Sequence, residues 1–172
     1  IAACGCVISF SGFVPKERME ENIDTVLCAL LEIADGDDYE LSTVAVAAGI
    51  QLVKAAEPAD AFSCLALLLP SPSDMPPFRG PEARRLTNTL KLLRPCLRQI
   101  PQEQLKVALH LCMPSLCRSF ESPHAEIRHL CLDCIVTVMT VVGEDAVATF
   151  SRSMTKTQQQ LISLHFAKAT AV

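Results

Sequence analysis

From Met113 to Ala169 the chain leaves room for little except helices set side by side. Pro114 stands inside an apolar helical run, and Ser122-Pro123-His124 makes a polar turn. Ile127 to Val142 is apolar at helical spacing, Gly143 stops it, and Leu161-Ile162-Ser163-Leu164-His165-Phe166-Ala167-Lys168-Ala169 closes the series. Two helices crossing a short turn are the unit of a helical solenoid, in which each pair buries its apolar face on the next. Nowhere does the chain alternate with the period of two that a half-buried strand needs.

The same unit recurs upstream. Glu17 to Ala34 reads as an amphipathic helix, with Met19, Ile23, Val26, Leu27, Leu30, Leu31 and Ile33 on one broad face. Asp35-Gly36-Asp37-Asp38 is a turn whose carboxylates cap the next helix, Leu41 to Ala56, which is apolar enough to be buried between neighbours. Pro58 opens a helix to Leu69. Residues 70–81 hold five prolines and read as an extended, irregular loop. Helices follow over Glu82–Gln99, Gln102–Ser119, Glu126–Val142, Ala146–Phe150 and Gln158–Thr170. Pro95 is expected to bend or end the first of these, and Pro114 to kink the second. Ile1 to Phe13 reads as the end of a helix whose start has been lost, the cut edge of a longer chain rather than a signal peptide. The expected architecture is one all-α solenoid domain over residues 1–172: about three helix pairs, a truncated helix in front and a capping helix behind.

Composition narrows function more than fold. Half the residues are apolar but only 5% are aromatic, which suits Leu/Ala/Val-rich helical repeats. The longest apolar run, near Ala61 to Leu69, is interrupted by Ser63 and closed by Pro70, so no membrane insertion is expected. Nine cysteines scattered among leucines and valines read as small buried hydrophobes in a reducing compartment, not as a disulfide framework. Residues 1–60 carry 11 acidic and 3 basic side chains, and the remainder 8 and 12. That polarity suits the steering of protein partners rather than nucleic acid.

No phosphate-cradling loop, nucleophile elbow or zincin motif is present, so neither an enzyme nor a cofactor is expected. His129-x-Cys131-x-x-Cys134 is the nearest approach to a metal motif, but a zinc site needs four ligands and no second pair stands at the right spacing. A basic stripe is more suggestive. At 100° per residue Arg84, Lys91, Arg94 and Arg98 fall within about 80° of one another, with Arg79 and Arg85 near the start of their helix. They read either as a patch for an acidic peptide or tubulin surface or as an ordinary solvated face.

The Ile127-Arg128 after the turn, the pair Cys131 and Cys134, the Val142-Gly143-Glu144-Asp145 break and the final Leu161 to Ala169 helix together resemble the cytoplasmic linker-associated protein (CLASP) family. The resemblance is to its C-terminal TOG-like HEAT-repeat domain. It runs from about Leu97 to the end, and in register over Leu31 to Val53; Ala56 to Thr89 matches in outline. Two positions depart from the family pattern. Leu41-Ser42 stands where the HEAT layout has Val-Arg, an arginine that ties successive turns together. Gln158-Gln159-Gln160 opens the last helix, where the family has lysines.

The resemblance implies a module of a microtubule plus-end protein. It would dock plus-end, kinetochore or cortical adaptors through peptide or coiled-coil segments, in the cytoplasm at plus ends, the spindle or the cortex. TOG domains grip tubulin through the turns within each pair, here Asp35–Tyr39, the proline loop and Glu121–Arg128. The first is acidic and the chain has no tryptophan, so tubulin binding is expected to be weak at most. The candidate surfaces are the basic helix (Arg84, Lys91, Arg94, Arg98), the loop at Phe78 and Arg79, and the last pair around His124, Arg128 and Lys168. Alternative readings are a tubulin-binding TOG domain and a HEAT scaffold of the transport-adaptor kind.

Overall fold

Leucine spacing sets the helices and proline or glycine ends them. The computed structural model describes residues 22–73 and 78–171. The expected helix end at Ile1–Phe13, the start of the Glu17 helix, and residues 74–77 of the proline loop lie outside the described residues. Eight helices are described, and no strand lies among these residues: α1 Ile23–Ala34, α2 Tyr39–Ala55, α3 Pro58–Leu67, α4 Gly80–Leu97, α5 Gln102–Ser119, α6 Ala125–Val142, α7 Glu144–Ser151 and α8 Lys156–Thr170.

Packing follows chain order in two rows. α1, α3, α5 and α7 form one row, each touching the next; α2, α4, α6 and α8 form the other. Within the pairs, α1 packs on α2, α3 on α4 and α5 on α6. This is a stack of helix pairs, as a solenoid requires, and α7 and α8 both close over α6. The core runs between the rows. Leu27 and Leu31 of α1, Phe62 and Leu65 of α3, Leu90, Leu93 and Leu97 of α4, and Leu105, Met113 and Leu116 of α5 are all fully buried. Each such side chain contributes about 1.5–3 kcal/mol by leaving water.

Local chemistry explains where helix boundaries depart from the sequence reading. The proline loop closes at Arg79 rather than Pro81, because Pro81 fits the first turn of α4, where its missing N–H has no partner to lose. Pro95 lies in the last turn of α4, which ends at Leu97, and α5 passes through Pro114 for five more residues. α8 begins at Lys156 because Thr155 and Gln158 form a capping box: the hydroxyl accepts from the Gln158 N–H, and Oε1 of Gln158 accepts from the Thr155 N–H. α7 starts at Glu144, with two acidic residues in its first turn favoured by the helix dipole.

Two corrections concern burial. Ile33 is 38% exposed, since it lies at the edge of the arc centred on Ile23, Leu27, Leu30 and Ala34. α2 is not enclosed: Thr43, Ala47 and Gln51 face outward, and its main contacts among the described helices are with α1, α3 and α4. Two glycines are required by the geometry. Gly143 takes φ 92° and ψ 157° between α6 and α7, a region essentially closed to other residues. Gly49 lets α2 approach α4 so closely that a Cβ there would collide with Cδ2 of the buried Leu92.

Candidate functional site

The turns within the three helix pairs come together along one edge of the stack, and side-chain bonds stitch them. At the first turn Asp38 caps α2 by accepting from the N–H groups of Glu40 and Leu41, each at 3.0 Å. The Ser42 hydroxyl donates back to the Ala34 carbonyl at 2.7 Å. Nδ2 of Asn88, from α4 of the next pair, donates to the same carbonyl and to Oδ1 of Asp35, each at 3.1 Å. At the third turn Arg128 plays the part of Ser42. Both are the fourth residue of the second helix, and its Nη1 donates to the carbonyls of Ser122 and Pro123 at 2.8 and 2.7 Å. The arginine expected at Ser42 is therefore replaced by a hydroxyl within the pair and an amide from the next.

The basic stripe of α4 meets the acids of both neighbours. Arg84 reaches Asp37 at 2.6 Å and Arg85 reaches Asp35 at 3.6 Å, towards the α1–α2 turn. Lys91 pairs with Glu126 at 2.9 Å and Arg94 with Asp133 at 3.1 Å, towards α6. Arg98 lies beyond this series and is exposed, as is Arg79, the residue that precedes α4. Three of the four stripe residues are thus part of the joint between repeats, and a binding role for them competes with these pairs.

The loop residue Phe78 is buried, and its carbonyl sits 2.7 Å from Nε2 of His124. So the second turn is tied to the third. Between the turns lies a shallow groove of about 410 Å³ lined by Ser42, Arg84, Asn88, Lys91, His124 and Glu126 among others. The structure brings together Phe78, Arg84, Lys91, His124 and Arg128 on this edge. Lys168 belongs elsewhere, near the end of α8.

The cysteine–histidine motif does not converge. Cys131 and Cys134 are buried in the core on α6, whereas the His129 side chain is 67% exposed and lies 3.9 Å from Asp133. Among the described residues no group of three or more His, Cys, Asp or Glu side chains is placed to hold a metal. Burial pushes the thiols of Cys96, Cys112 and Cys117 up to about 12 and those of Cys131 and Cys134 well upward, so these five are held as thiols rather than nucleophilic thiolates. No described helix is long and apolar enough to cross a membrane.

The chain is similar to a CLIP-associated protein of Arabidopsis thaliana, 22% identical over 150 residues that make up 87% of this chain. Those residues are 10% of the relative, so the chain spans about a tenth of its length. No protein-family model matches. The similarity supports a CLASP-like relation for an all-helical stack.

Sequence reading named Ser42 only as a departure from the family layout and Asp37 only as part of a capping turn, and it missed Asn88 and the ion-pair partners Glu126 and Asp133. The excess of acids at the first turn and of bases on α4 was a usable signal, since opposite charges on consecutive pairs can meet.

Proposed function

We propose that this chain is a protein-docking module of a microtubule-associated protein, positioning it by holding partner proteins rather than by gripping tubulin. The observation that carries the reading is the similarity to a CLIP-associated protein along nearly the whole stack. Two features support docking over tubulin binding. The first turn, which a tubulin-gripping domain would present, carries Asp35, Asp37 and Asp38, and tubulin's own surface is acidic. Arg84 and Arg85, which α4 brings to that turn, are held in ion pairs with Asp37 and Asp35 rather than left free for an acidic partner.

One observation favours the alternative: Tyr39 stands 82% exposed at that turn, an aromatic where tubulin-binding turns want one. Co-sedimentation with microtubules and size-exclusion with free tubulin at low salt separate the two. Docking expects no stoichiometric tubulin complex, together with capture of other proteins from lysate, identified by mass. A stoichiometric tubulin complex that Tyr39→Ala abolishes would overturn it.

A further inference from the structure

A second groove starts beside the third turn and runs between α6 and α8. Phe120, Leu132 and Leu161 give it an apolar wall, and Arg128, His129 and His165 stand around it with Thr157 and Gln158. Phe120 and Leu132 are buried, but Leu161 is 39% exposed, and Leu164 beside it on α8 is 53% exposed. Lys168 follows Leu161 by seven residues and His165 by three, which extends the same helix face. α8 carries no carboxylate anywhere from Lys156 to Thr170. The acids of α6 and of the turn before it are paired: Glu126 with Lys91, Glu121 with Arg118, and Asp133 with Arg94 and, at 3.9 Å, with Nε2 of His129. The groove therefore offers exposed leucine between cationic and imidazole donors, with no lining acid to repel an acidic ligand.

From this geometry we infer that the α6–α8 groove docks an acidic amphipathic helix, its apolar ridge on Leu132 and Leu161 and its carboxylates facing Arg128, His129, His165 and Lys168. A groove between two packed helices accepts a third helix ridge by the rule that packed the first two. Charge complementarity selects its sign. The first turn of α8, which contains Thr157, adds the positive end of a helix dipole at one end of the groove. This assignment rests on the docking reading above.

The test is panning a phage-displayed library of helical peptides on the intact chain and on Leu161→Glu/Lys168→Glu, both sites being exposed. Circular dichroism verifies that the double variant keeps its helices. Enrichment of peptides with Asp or Glu flanking apolar residues at helical spacing is expected, with affinity at least tenfold weaker for the variant. Enrichment of basic peptides, equal binding to the variant, or no enrichment would each overturn the groove assignment. A parallel lysate capture keeps the two readings apart. Non-tubulin partners retained in full by the variant would sink the groove and leave docking standing, whereas capture of tubulin alone would sink docking itself.

Discussion

Burial and charge pull in opposite directions on Asp35. Burial pushes its carboxyl above the ordinary 3.8, while the Asn88 hydrogen bond and the charges of Arg85 and Arg84 pull it down and Glu32 adds to the rise. A carboxyl that holds its proton more tightly folded than unfolded makes folding more favourable as pH falls through its folded value, and the gain levels off below the unfolded one. Urea unfolding of the wild type and Asp35→Asn should therefore show the difference moving toward the wild type as pH falls toward the ordinary 3.8. A difference independent of pH would show that Asp35 is not the group responsible. None of this could be read from the string Asp35-Gly36-Asp37-Asp38, where the three acids look alike. What separates them is that Asp38 caps its own helix, Asp37 stays 94% exposed, and Asn88 arrives from 53 residues away to bond Asp35.

Helices were the most legible level. The stripe Leu86, Leu90, Leu93 and Leu97 is buried along α4 as its spacing requires, and Gly143 ends α6 where the pattern stops. The exposed side of α2 was not legible, since its near-continuous apolar run does not say which neighbours exist. Its contact with α4 includes a close approach of Gly49 to Leu92. Replacing a mid-helix glycine by a better helix former ordinarily stabilises by up to about 1 kcal/mol. At Gly49 the sign should reverse, because the new side chain meets Leu92. Gly49→Leu is expected to cost about 1–3 kcal/mol through overpacking, measured by denaturant titration. Gly49→Leu/Leu92→Ala should cost less than the two single changes added together, since the second opens the space the first demands. Strict additivity would mean that the two helices do not meet there.

At the scale of the molecule, order and pairing of the helices follow from local signals, but the fate of the charges does not. Arg84, Lys91 and Arg94 share a helix face by spacing alone, yet only the register of three helix pairs brings that face against Asp37, Glu126 and Asp133. The α6–α8 groove was hidden for the same reason: His129, Leu161 and His165 are neighbours only once α8 folds back over α6. The tie between Phe78 and His124 bears on how such a chain can drift in length. Because the end of the proline segment is buried and bonded to the next pair, α4 starts from a fixed point whatever precedes it. Ten Gly/Ser residues inserted after Ser73 should cost only about 0.6 kcal/mol of loop closure, a shift in thermal midpoint of a few degrees at most. A midpoint lowered far beyond that would show that the stack depends on the segment's length. On that expectation, the proline segment is where the chain can take up added sequence without its helix pairs losing step.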